Sequence, residues 1–197
     1  MPEHGTALTV GQYAEFGAAV LKALPRDIAS TRALAWARNG VALEKALRRA
    51  LVPQVFSFPI VVDGNKTIEQ MVEAGHYAKW SIFISSEYFP LEPDRSGVFV
   101  AHIIKPGRGI SSKEVIAEID MMGFRPADLR ALLAFGEQHS AIQELFRVVA
   151  LGSTWRDSTF SLHVPTLSNK EGEGRTLDLV GLNDDWFAED GFLTVPK

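Results

Sequence analysis

Residues 111–155 read SSKEVIAEIDMMGFRPADLRALLAFGEQHSAIQELFRVVALGSTW. Ser111 followed three residues later by Glu114 has the form of a capping box, in which each side chain satisfies a backbone N–H that the first helical turn leaves free. Val115, Ile116, Ile119 and Met122 then recur on one helical face, and Gly123 is placed to stop the helix. Pro126 suits the first position of a second helix, whose Leu129, Leu132, Leu133 and Phe135 point inward until Gly136. Ser140 with Gln143 repeats the capping device before Ile142, Leu145 and Phe146. A strand, RVVAL, closes the unit and breaks at Gly152-Ser153 before Trp155. The stretch therefore predicts two amphipathic helices, a short helical turn and a buried strand, on which the rest of the chain packs.

Downstream, the periodicity is that of strands. FSLHV places Phe160, Leu162 and Val164 on one face, with Ser161 and His163 on the other. A polar loop at 168–175 leads to TLDLVGL, an acidic aromatic loop NDDWFAED follows, and GFLTV makes a last strand. Immediately upstream, GVFVAHIIK is apolar on both faces and reads as central in a sheet. Its His102 is expected to be a hydrogen-bonded core residue. Val55 to Val62, interrupted by Pro59, reads as an edge strand. Thr67 and Gln70 cap a short helix, and WSIFI at 80–84 reads as a further strand. The class expected is α+β, with an antiparallel or mixed sheet and helices packed on one face, over residues 54–197.

Residues 1–53 differ. Thr9 caps a helix carrying Val10, Tyr13, Phe16, Val20, Leu21 and Leu24; Asp27 or Ser30 caps a second; and VALEKALRRALV forms a third. This three-helix element holds seven Lys/Arg against four Asp/Glu, a net of +3, while the remaining thirteen against twenty give −7 and the chain total is −4. An acidic body repels a phosphate backbone, so a nucleic-acid role falls to Lys45, Arg48 and Arg49. Those three residues equally form a solvated face on a packing helix, which is the preferred reading. The apolar side of these helices is rich enough to dock on the body or to form the seam of a homodimer.

At 46% apolar and 22% charged residues, the 197-residue chain has the composition of a folded protein. It has no cysteine, which excludes disulfides, Cys-ligated zinc and thiol catalysis and fits a reducing compartment. The opening MPEHGTALTV lacks the basic-then-apolar pattern of a signal peptide, and no window is apolar for the roughly 20 residues a spanning helix needs. A cytoplasmic protein is expected.

Chemistry is sparse. His163 with Asp157, Asp178, Asp184 or Asp185 has the residue types for acid–base work or a metal, but no recognised spacing supports it. Asp184-Asp185 with Glu189-Asp190 is either a hard-cation cluster or a solvated turn, the latter preferred. The glycine-flanked Arg108 matches no phosphate loop. Trp155 and Trp186 stand in or beside loops, where large aromatics anchor binding surfaces or lid a core.

The series RPADLRALLAFG, FRVVALGSTW, DDWF and GFLTVPK, with the leader WARNGVALEKALRRALVP, resembles a widespread set of uncharacterised bacterial proteins. More remotely, the order of helix, GS-x-W, long loops and closing G-F-x-x-V strand is similar to C-type-lectin-like and formylglycine-enzyme-like domains. That similarity implies a compact scaffold with ligand-bearing loops, although the cysteines and calcium motif of those domains are missing here. The function expected is a non-catalytic binding or protein-interaction module, without cofactor or metal. Its surface is expected at loops 155–157, 170–175 and 184–186, through Trp155, Arg156, Asp157, Asp184, Asp185 and Trp186. The alternatives are a nucleic-acid-associated regulator using Lys45, Arg48 and Arg49, and a metal-dependent hydrolase using His163 and the acidic loop.

Overall fold

A computed structural model describes residues 9–90, 96–182 and 185–197, the side chains of Arg49 and Ala50 apart. Asp184 therefore lies outside the described residues, as does the Arg49 side chain. The chain divides into two compact units, Met1–Arg48 and Arg49–Lys197.

The first unit is helical: α1 (Val10–Ala23), α2 (Ser30–Arg38) and the start of α3 (Gly40–Leu51). Thr9 and Gln12 form the capping box of α1. Helix α2 has no side-chain cap: Asp27 stands outside it, and Ser30 is already its first residue. Asn39 starts α3 by accepting from the Ala42 N–H at 3.1 Å. No described residue from 9 to 48 is buried.

The second unit is an α+β domain with a mixed sheet. Its strands are β1 (Gln54–Val62), β2 (Lys79–Trp80), β3 (Gly97–Lys105), β4 (Phe124–Pro126), β5 (Val148–Val149), β6 (Trp155–Arg156), β7 (Leu162–Lys170), β8 (Gly174–Gly181) and β9 (Gly191–Pro196). The order across the sheet is β1-β3-β9-β5-β7-β8-β2, with β4 paired to β9 and β6 to β7. Pairing is antiparallel except at β5–β9 and β2–β8. The Pro59 strand sits at the edge, as its ring requires, and β3 is internal. The outer side of β1 is partly closed by α6 (Leu129–Gln138). Gln138 exchanges two side-chain hydrogen bonds with the Val61 backbone, at 2.9 and 2.8 Å, as another strand would.

Helices α4 (Ile68–Ala74) and α6 pack over one cluster that includes Ile60, Ala101, Ile103, Val148, Leu167 and Leu193. Helix α5 (Ser112–Met121) contributes Val115 and Ile119 to a second cluster with Ile104, Val149, Val164 and Phe192. Adjacent residues of β3, β5 and β9 fall in different clusters, so the sheet is covered on both faces rather than one.

The 111–155 stretch holds its two helices, a short helical turn and a strand, with some of their ends set differently from the sequence expectation. The Ser111–Glu114 box caps α5, and Gly123 adopts a φ of +80° after it. Pro126 lies in β4, not at the head of α6; Asp128 is the N-cap, accepting from the Ala131 N–H at 2.9 Å, and Ser153 accepts from Leu129 N–H. Gly136 does not end α6, which continues to Gln138. Ser140 and Gln143 make no box: a 3-10 turn, Ser140–Glu144, lies there, and buried Gln143 donates to the carbonyls of Ser168 and Thr176. Gly152 is needed for space, since a Cβ there would lie 2.6 Å from the Pro126 and Ala127 carbonyl oxygens.

Candidate binding surface

Strand β6 is only Trp155 and Arg156, paired antiparallel with His163 and Leu162 of β7. This pairing stands the Trp155 ring beside the His163 ring, with centroids 5.4 Å apart. The segment after β2 completes the cluster. Residues 80–84, read from sequence as a strand, are β-paired only at Trp80 and continue as turns. Those turns bring Phe83 onto Trp155 in a stack of 4.4 Å and 22°, and Tyr88 edge-on to both rings, at 5.7 and 6.2 Å. Phe83 and Tyr88 remain 37% and 41% exposed, so the stack forms a platform open to solvent.

Carboxylates brace the platform on two sides. Asp157 Oδ1 accepts from the Thr159 N–H and hydroxyl and from the Ser161 N–H, at 2.8, 2.7 and 3.0 Å. Its Oδ2 lies 3.0 Å from His163 Nε2. The Thr159 hydroxyl and then His163 hold the Asp157 carboxyl far below the usual carboxylate range. The turn it organises turns Phe160 outward at a φ of +66° and 77% exposure, contrary to the inward position its alternation suggests. On the other side, Glu69 of α4 accepts from the Ser86 N–H and hydroxyl, both at 2.7 Å. The N–H bond first and the hydroxyl second pull its carboxyl down to about 2. Glu69 thereby ties the 80–90 segment to α4. Two hollows flank that segment: a cleft of about 520 Å³ beside Trp80, Ile84 and α4, and one of about 220 Å³ beside Tyr88, Leu129 and Ser153.

Trp155, Arg156 and Asp157 thus come together, and Arg156 is exposed. Trp186 does not join them. It is 1% exposed in the α5-side cluster, whereas Trp155 packs against the opposite one. Its indole N–H donates to Ser112 Oγ at 2.8 Å, and its backbone bridges Ile110. Its position in an acidic loop gives no sign of this, because one of the loop's acids is an internal partner: Asp190, 4% exposed, takes a two-point ion pair from Arg147 at 2.9 and 2.6 Å. Asp185 is exposed. The 170–175 loop is also less free than its composition suggests, since Arg175 donates to the carbonyls of Gly75 and Gly136 and to Gln143.

The remaining candidates are dispersed. Lys45 is exposed, and Arg48 pairs with Glu44 at 2.9 Å on the helix surface. Arg108 is held by Glu118 at 2.5 Å. His102 is bonded to Ser57 Oγ at 2.9 Å and lies on the Phe124 ring, and burial lowers its pKa. Among the described residues, no group of three His, Asp or Glu side chains is gathered for a metal ion. Phe83 and Tyr88 escaped sequence reading because their contacts are long-range; the only local signal is the density of aromatics between Trp80 and Phe89.

Comparison with known protein families, curated proteins and solved structures finds no match to this chain.

Proposed function

We propose that the protein is a non-catalytic binding module, acting in the cytoplasm, that takes a protein partner on the Phe83–Tyr88–Trp155 platform. The observation carrying this reading is the exposed aromatic stack, held by Asp157 and Glu69. Rigid aromatic side chains offer large contact area at low entropic cost, which is why they dominate binding hot spots. The absence of cysteine supports the compartment, and among the described residues no helix is long and apolar enough to cross a membrane. Arg156 beside the platform supplies a charged rim. The metal-dependent hydrolase reading has less support, because among the described residues no group of three His, Asp or Glu side chains is gathered around His163 or elsewhere. The nucleic-acid reading has less as well, because Glu44 offsets the charge of Arg48.

The test is capture of partners from the native host by wild type and by Trp155→Ala and Phe83→Ala. Both substitutions should abolish capture of the same protein while the variants keep a cooperative melt. Undiminished capture by both would sink the proposal.

A further inference from the structure

The helices of residues 10–48 bury none of their side chains, yet nine large apolar residues there are 36–89% exposed. A helical segment of this size with no core has no internal source of stability. The spacing on α1 shows the shape of what is missing. Val10, Tyr13, Gly17, Val20 and Leu24 follow one another at intervals of three, four, three and four, the seam pattern of paired helices. Phe16 and Leu21 flank the seam. The only two charges of α1, Glu15 and Lys22, are seven residues apart on the side away from it. The seam is therefore apolar and uncharged, and meets a copy of itself without like-charge contacts. Gly17, midway along it, has open space around the position of a Cβ and permits close approach of a second backbone.

We propose that the protein is a homodimer whose seam is α1 packed on α1 of a second copy, with Gly17 at the crossing. Five of the nine exposed side chains lie on α1 or at its C-cap, namely Val10, Tyr13, Phe16, Leu21 and Leu24; at roughly 80–100 Å² each they offer about 400–500 Å² per copy, the small end of interface sizes, which fits a dimer that dissociates on dilution. The pattern favours a helical occupant over a lipid surface, because membrane-surface helices carry a strongly basic polar face, whereas α1 is neutral overall.

The full-length chain tests this by sedimentation velocity between about 1 and 100 µM. The expected result is twice the monomer mass of 21.7 kDa, falling to one chain on dilution. Tyr13→Glu with Val20→Glu should weaken association by about a hundredfold or more, and Phe16→Leu should preserve it. In this cysteine-free chain, oxidation of Gly17→Cys should cross-link two copies and that of Lys22→Cys should not. A single-chain mass for wild type at every concentration overturns the proposal, whether the helices are protease-resistant or frayed. So does a dimer that survives Tyr13→Glu with Val20→Glu, which would place the interface elsewhere. A monomer that co-sediments with phosphatidylcholine–phosphatidylglycerol vesicles through this face would assign it to lipid instead.

Discussion

Trp155 and Trp186 are both followed or flanked by acidic residues, and nothing in their immediate sequence separates them. Around Trp155, the acids Asp157 and Glu69 face outward and hold turns, and the aromatic rings they support stay in contact with water. Around Trp186, the acid Asp190 is drawn inside with Arg147, and the indole fills a core between α5 and β9. An aromatic beside acids is thus a surface anchor or a core plug according to where the acids find their partners. For Asp190 the partner is Arg147, 43 positions away, whereas Asp157 finds its partners within 6 positions.

The contrast predicts graded effects. Trp186→Ala should cost about 3–5 kcal/mol, the usual range for deleting a buried large aromatic, and chemical denaturation should show it. A cost below about 1 kcal/mol would break the comparison by returning Trp186 to the surface. Arg147→Ala leaves Asp190 without its counter-charge and should cost about 2–3 kcal/mol, read by the same denaturation. Trp155→Ala removes half-buried area and three ring contacts and should cost about 1–2 kcal/mol. Its larger effect should be on partner capture.

The smallest effect concerns pH. Glu69 has its carboxyl depressed to about 2 in the fold, against about 4.3 in an unfolded chain. The stability it adds is fully present above the unfolded value and is lost as pH falls from there through about 2. Acid titration followed by Trp155 fluorescence in a background where Trp36, Trp80 and Trp186 are each replaced by Phe should show the platform loosening in that window. Glu69→Gln should flatten that part of the curve. An unchanged curve would mean that Glu69 does not hold the 80–90 segment. Asp157 titrates in the same direction.

Local rules carried much of the architecture. The boxes at Thr9, Thr67 and Ser111, the edge position of the Pro59 strand and the internal position of β3 all follow from interactions within a few residues or from the alternation of side chains. Gln143 failed because a cap-like residue three positions after Ser140 found two strand carbonyls to bind instead. Pro126 failed because β9 offered its segment a pairing partner. Half of the candidate surface was legible, in Trp155, Arg156 and Asp157. Phe83 and Tyr88 were not, because a run of alternating apolar residues looks the same whether it pairs with a strand or folds back onto a distant tryptophan.

Strand β9 lies between β3 and β5 and also receives β4. On the ribosome, this makes residues 191–196 a keystone that arrives after every strand it joins. Until they emerge, the β1–β3 hairpin and the β5–β7–β8 half have no backbone ladder between them, and their inner edges stay open to unwanted pairing. Between the completion of β8 at Gly181 and the arrival of β9 at Gly191 the nascent chain holds two unjoined half-sheets, and that interval is where a chaperone would have the most to protect.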